Sequence, residues 1–450
     1  MSRSLSMTNR RAACQTSRAP RIDTIQGPIS VTYSKILLLS TALVALASCS
    51  EQPLDMEDMS ERLRMELAPL PVPVEGGAVS LEGAFGAAVA RAVTGHEGYR
   101  AALALEREAM SRIGVAQSAR RPQLAASGTV GGIRETGSDG STDVGVAGGV
   151  NLSQLVYDGG ESVAAVNRST AEALGARAER AARGNELALE AARAWIDVWQ
   201  YDQRLDLLRA RSSEMDTLVT QIERMASTGM LDRAALDSAR RQIIDITLEE
   251  SRLQTDRAEA RVRFNRFFGR DPGTLERPEE LIPLAVARAQ AQRAQQAPTL
   301  EARAAAVIAA RNAVAEAQSA FRPRARLQAS ARAPMSQNDS TDLILGIGVE
   351  YSFSDGGRRQ RLLEASESRA EALQEELRDA QSTLEAELQA ALSRLAGIER
   401  AMPLVAEQIR LSASEGQTAR SQIATGQSTL RQLVEAEIEQ EVLQASTSGF

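Results

Sequence analysis

At 450 residues and 48.3 kDa, the chain has 43% hydrophobic and 25% charged residues but only 3% aromatics, which excludes wholesale disorder and fits a thick aromatic core poorly. Alanine supplies much of the apolar fraction, so long helices packed closely on small residues suit the inventory better. The formal charge is −7, and because the first 48 residues hold six basic residues and one acid, the remainder stands at −12 with no basic stripe for phosphates; one histidine, and two cysteines both near the N-terminus (Cys14 and Cys49), disfavour metal, disulfide and triad chemistry in the body.

In chain order, Lys35 precedes an apolar run, Ile36 to Ala47, of about a dozen residues, the length of a signal-peptide core and too short to span a bilayer. Leu46-Ala47-Ser48-Cys49 matches a bacterial lipobox, so Cys49 is expected to be diacylated as the first mature residue, with the covalent lipid as its only attached group. Ser50 in place of Asp favours the outer membrane over inner-membrane retention. Val31 is an alternative start, given the long lead before the signal. Residues 49–79 read as a mostly extended, lipid-anchored tether.

The rest is one unit written twice. Ala116-Gln117-Ser118-Ala119-Arg120-Arg121-Pro122 returns as Ala317-Gln318-Ser319-Ala320-Phe321-Arg322-Pro323, Asp158-Gly159-Gly160 as Asp355-Gly356-Gly357, and Thr228-Gly229 as Thr425-Gly426. Three anchors in one order mean duplication, with repeat one over 80–273 and a linker plus repeat two over 274–450.

Each unit opens with a short helix, 96–119 in the first, that ends before a proline. Strand-like segments follow at about 124–133 and 143–153, and again at 324–333 and 343–354. Leu343 to Phe353 is apolar at every odd position, and Arg, Gln and Ser alternate with Ala and Leu from Arg324 to Ala333. Such alternation gives one apolar and one polar face, at the roughly 9–11 residues a tilted membrane strand needs. Two hairpins cannot close a membrane barrel alone; three chains would supply twelve strands, an even number of the kind such barrels use.

After each Asp-Gly-Gly, helix-compatible stretches run over 161–227 and 358–424, each roughly 100 Å long if unbroken. Pro403 is expected to kink or break the second. Rods of this length imply a coiled-coil or fibrous arrangement. Ala188, Ala192, Trp195 and Trp199 share a helical face and read as packing residues, and His96 as a structural residue near a helix start. Return helices follow at 231–268 and 430–446, the second stopping some fifteen residues early relative to the first, so the C-terminus reads as truncated or differently built.

This order of elements, with Ser80-Leu81-Glu82-Gly83-Ala84, Leu152 to Gly160 and Phe353-Ser354-Asp355-Gly356-Gly357, resembles the TolC family of bacterial outer-membrane channel proteins over about residues 79–446. The resemblance implies a mainly α fold with a small membrane β-barrel contribution. It further implies a homotrimer whose twelve strands form a barrel in outer-membrane lipid and whose helices form a periplasmic tunnel, working with a periplasmic adaptor and an inner-membrane exporter. Arg261 to Leu275 is similar to the closing segment of the type I protein-secretion branch, which works with ATP-driven ABC-type exporters, and secretion is the expected trade. The alternative is small-molecule efflux with a proton-driven RND-type pump, towards which the lipidated N-terminus leans.

No catalysis and no cofactor are expected. Asn151, Ser153, Arg324, Arg326, Gln328, Arg332, Glu350 and Ser352 are the candidate lumen residues, because a charge facing lipid at mid-membrane costs about 2–4 kcal/mol. Thr228, Gly229, Met230, Leu231, Thr425, Gly426, Gln427 and Leu430 are the candidate adaptor contacts at the periplasmic tip. Asp232, Arg233, Asp237 and Arg431 are candidate gate residues, each repeated three times around a trimer axis. A solvated helix start explains the same charges without a gate. A soluble coiled-coil adaptor, a pore-less anchored scaffold and a carboxylate-based secreted enzyme remain as readings from other classes.

Overall fold

The structure, a computed structural model, describes residues 52–67, 83–134, 142–228, 233–278, 296–333 and 342–424. The predicted signal and Cys49 lie outside these residues. The described chain is mainly helical, with one small sheet.

Helix α1 spans Met56–Glu66, where the extended tether was expected. Asp55 explains its start: its carboxylate accepts from the Glu57 and Asp58 amides at 2.9 and 2.8 Å. Met59, Leu63 and Leu67, spaced by four, form a stripe that packs into a core with Leu174, Leu300, Val307 and Leu377. Glu66 pairs with Arg311 at 2.6 Å. The stripe was visible in the sequence, but its burial needed those distant helices.

Helices α2 (Gly83–Gly95) and α3 (Glu97–Ser118) follow. His96 caps α3: its Nδ1 accepts from the Gly98 amide at 3.0 Å, and its ring stacks on Phe267 with centroids 5.3 Å apart. Strands β1 (Gln123–Arg134) and β2 (Thr142–Tyr157) lead to α4 (Glu161–Ser227). Helix α5 (Arg233–Phe268) returns along it. Repeat two supplies α6 (Pro298–Ser319), β3 (Arg324–Ala333), β4 (Asp342–Glu350) and α7 (Arg358–Ala424).

Helices α4 and α7 both have 67 residues, about 100 Å at helical rise. The two glycines inside α4 sit at close approaches. A Cβ on Gly175 would lie 3.3 Å from the Ala305 Cβ of α6, and one on Gly184 would lie 3.4 Å from the Tyr99 ring of α3. Pro403 does not end α7, which is one helix through that position; the proline removes a single backbone donor.

Two cores hold the α4–α5 pair. One joins Phe85, Val89, Leu187, Trp195, Val198 and Phe264; Trp195 meets Phe85 edge-on at 5.5 Å and Phe268 at 5.6 Å. Farther along lie Leu205, Leu208, Met215, Ile246 and Leu253. Each fully buried side chain of this type contributes about 1.5–3 kcal/mol. Trp199 is partly exposed, with the Arg277 guanidinium 5.9 Å from its ring. Both tryptophans therefore pack against the protein itself.

Candidate pore-lining face and periplasmic tip

The sheet is antiparallel, in the order β1-β2-β3-β4, and it is open: among the described residues β1 and β4 each leave one edge unpaired. Directly opposed residues of an antiparallel pair share a face, so the register sorts every side chain. One row runs Ser127, Gly149, Arg332, Asp342; another Ala125, Asn151, Ser330, Ile344; a third Gln123, Ser153, Gln328, Gly346. Arg326 opposes Gly348, and Arg324 opposes Glu350. Seven of the eight lumen candidates, Asn151, Ser153, Arg324, Arg326, Gln328, Arg332 and Glu350, thus lie on one face, where Ile133, Leu155 and Ile344 are the large apolar members.

The opposite face is apolar. It carries Leu124, Val130, Val146, Val150, Leu152, Leu327, Ala329, Ala331, Leu343, Leu345, Ile347 and Val349. Several are strongly exposed, Leu345 at 77% and Leu343 at 80%. A face this apolar and this bare is not a surface that meets water in isolation. Gln154 interrupts it beside the bulge at Leu155/Tyr157, where its Nε2 donates to the Arg120 carbonyl at 2.7 Å.

Ser352 falls beyond β4, which ends at Glu350 and not at 354 as the alternation suggested. The cause is pairing: Glu350 opposes Arg324, the first residue of β3, so among the described residues no strand lies beside 351–354. The Ser352 carbonyl instead accepts from Arg359 Nη2 at 2.8 Å.

At the sheet's helix-side end, each Asp-Gly-Gly caps a rod. Asp158 accepts from the Gly160 and Ser162 amides at 3.0 and 2.7 Å, and Asp355 from the Gly357 and Arg359 amides at 3.1 and 3.0 Å. Both glycines of each turn have positive φ, between 70° and 96°, which glycine adopts without a Cβ penalty. Burial works against the Asp355 carboxylate, but the hydrogen bonds from the Arg359 backbone, its guanidinium and the Gly357 amide outweigh it and hold the pKa below the ordinary value.

Arg324 does more than line a face: its guanidinium reaches Glu161, the first residue of α4, at 2.6 Å. Burial pushes the Glu161 carboxyl up despite Arg324, with Asp158 and Glu316 acting in the same direction and Arg326 against it. This charged junction between strand and rod was not singled out from sequence, because its members come from both repeats. The same is true of Glu106, a buried carboxylate that accepts from Arg180 at 2.5 Å while Arg180 also donates to the Tyr99 hydroxyl at 2.7 Å.

Thr228 follows the end of α4, its amide donating to the Arg224 carbonyl at 3.2 Å. Gly229, Met230, Leu231, Asp232, Thr425, Gly426, Gln427, Leu430 and Arg431 lie outside the described residues. Arg233 is the first residue of α5, and Asp237 is exposed one turn later. Nearer the middle of the pair, cross-links join α4 and α5: Glu223 to Arg240 at 2.9 Å, Glu250 to Arg209 at 3.3 Å, Asp202 to Arg257, and Asp197 to Arg263 at 3.1 Å. The pair of Asp202 and Arg257 is partly buried; the more exposed pairs contribute little each and set register more than stability.

Among the described residues no group of three or more His, Cys, Asp or Glu could hold a metal ion, and no helix is long and apolar enough to cross a membrane. The closing segment Arg261 to Leu275 is accounted for by packing: Phe264 is fully buried, and Phe267, Phe268 and Leu275 pack against the Trp195 core.

Comparison with solved structures returns the same architecture. The outer-membrane channel OprN aligns with 17% identity over 85% of this chain and 91% of that one, at a TM-score of 0.73. The CmeC outer membrane channel of Campylobacter jejuni aligns at 12% over 85% and 87%, with a TM-score of 0.72. The outer membrane protein VceC of Vibrio cholerae aligns at 17% over 81% and 92%, with a TM-score of 0.70. Among curated proteins none matches. The family profile described as outer membrane efflux protein matches residues 97–270 and 289–449. The two matched blocks span both repeats, and the chain belongs to that family of outer-membrane channel proteins, which are not enzymes.

Proposed function

We propose that three copies of this chain close edge to edge into a twelve-stranded barrel in the outer membrane, the polar sheet face inward, and that the rods continue it as a periplasmic duct. The carrying observation is the sheet itself: two chemically opposite faces and two unpaired edges in one chain. In this reading Asn151, Ser153, Arg324, Arg326, Gln328, Arg332 and Glu350 line the lumen, and Ser352 lies at its mouth. Cys49 carries a lipid that tethers the chain to the outer membrane.

The duct serves small-molecule efflux, with a periplasmic adaptor docking near Thr228, Gly229, Met230, Leu231, Thr425, Gly426, Gln427 and Leu430, and with a proton-driven RND-type pump in the inner membrane. Efflux replaces type I secretion as the favoured trade. The family description names efflux. Asp232, Arg233, Asp237 and Arg431 are the proposed gate at the tip.

Deletion of the gene tests the trade directly. Efflux expects dye and drug accumulation with extracellular protein unchanged. Loss of one secreted protein with normal dye extrusion would return the duct to secretion. Planar-bilayer conductance of the purified trimer tests the channel, and a monomer without conductance would sink it.

A further inference from the structure

The internal duplication makes the junction between repeat one and repeat two a template for a junction that a single chain leaves empty. At the inner junction, Arg322, just before β3, crosses to the Asp158-Gly159-Gly160 turn after β2 and donates from Nη1 to the Gly159 carbonyl at 2.8 Å. Its side chain fills the space beside Gly159 so fully that a Cβ there would lie 2.6 Å from the Arg322 Cβ. Gly159 is buried in consequence.

The second turn has the same backbone and none of this cover. Gly356 has φ +70°, as Gly159 does, yet it is exposed, and a Cβ there would meet nothing within 4 Å. Among the described residues no donor is recorded on its carbonyl. The repeat-one counterpart of Arg322 is Arg121, just before β1. Arg121 is exposed, and among the described residues its guanidinium has no recorded hydrogen bond or ion pair. Within one chain Arg121 sits at the β1 edge and Gly356 follows the β4 edge, the two unpaired borders of the sheet.

Strand lengths agree. β2 pairs with β3 as far as Tyr157 opposite Ala325. The counterpart of Tyr157 in repeat two is Ser354, yet β4 stops at Glu350 because, among the described residues, no strand lies beside residues 351–354. A β1 strand from another copy, arriving as β3 arrives at β2, would continue β4 and bring Arg121 to the turn.

We infer that the exposed Asp355-Gly356-Gly357 turn is a docking site for Arg121 of a second copy of this chain, whose guanidinium donates to the Gly356 carbonyl and covers the turn. The inference rests on the edge-to-edge closure proposed above and assigns one of its contacts. An arginine suits the place because its long, flexible stem packs over the bare glycine while its planar head reaches a backbone oxygen.

The test is the full chain with Arg121→Cys and Gly356→Cys together, mildly oxidised and run on non-reducing gels, with each single variant as the control against Cys14 and Cys49. Gly159→Cys with Arg322→Cys is the intrachain counterpart. The expected result is covalent dimers and trimers from the Arg121/Gly356 pair alone, and an intramolecular bridge without change of size from the Gly159/Arg322 pair. A trimer by native mass with no interchain species overturns this contact and leaves the trimer standing. A monomer by native mass overturns both. Because cysteine at a positive-φ position can impair folding, Arg121→Ala supplies an independent readout: the trimer-to-monomer transition temperature falls, helix melting is unchanged, and Arg121→Lys recovers part of the loss. An unchanged transition temperature for Arg121→Ala overturns the contact.

Discussion

Gln328 and Ala329 are consecutive on β3 and share almost the same depth, yet the register puts them on opposite faces: Gln328 opposite Gly346, Ala329 opposite Leu345. This makes Gln328→Arg and Ala329→Arg a controlled pair. β4 has nine residues; at about 3.4 Å per residue and a tilt near 45°, it spans roughly 20 Å along the membrane normal. Leu345 lies one residue from its midpoint, so an arginine at position 329 meets nearly the full mid-membrane penalty of about 2–4 kcal/mol per chain if its face meets lipid. Three copies raise that to about 6–12 kcal/mol for a trimer. The arginine at position 328 would face water and join Arg326 and Arg332, with a cost near zero. The assay is urea titration of the folded barrel in lipid vesicles, read by heat-modifiable mobility. Ala329→Arg is expected to fold poorly, and Gln328→Arg to fold normally with altered single-channel conductance. Equal tolerance of both, or failure of Gln328→Arg alone, would refute the two-face reasoning.

Arg180→Met leaves the buried Glu106 carboxylate without its cation, which should cost about 3 kcal/mol in thermal unfolding, while adding Glu106→Leu should recover most of that loss. Failure of the second substitution to restore stability would mean the network matters for more than charge pairing. Burial pushes the Glu301 carboxyl above its ordinary 4.5, with Arg177 and Arg64 opposing it. A raised carboxyl pKa in the folded state means a stabilising contribution present below about 4.5 and lost as pH climbs through the folded value. Glu301→Gln should therefore flatten the pH dependence of stability in that window, measured by urea unfolding at several pH values; an unchanged profile would show that Glu301 does not titrate there.

How much of this was legible beforehand depends on the range of each interaction. Helical predominance followed from alanine and from proline-free stretches, because helix formation is decided by local backbone propensity and i to i+4 bonds. The polar and apolar rows of β3 were likewise written in residue order, since side-chain period in a strand is a local property. The Asp-Gly-Gly turns could be read as punctuation, because Gly159 and Gly356 both need positive φ and aspartate caps a helix from next to it.

Only the tertiary structure decided what those local elements meet. Met59, Leu63 and Leu67 became a helix face because Leu300 and Leu377, hundreds of residues away, cover them. The aromatic run Phe264 to Phe268 was legible as a motif, but that Trp195 and Phe85 enclose it was decided by packing. Glu161 acquired its raised pKa from burial and from a neighbourhood that includes Arg324 of the other repeat. The sequence by itself therefore determined the elements and their repetition, which depend on near neighbours along the chain. Register, burial and the partners of each charge depend on residues far apart in sequence brought within a few ångströms, and nothing in residue order encodes that distance directly.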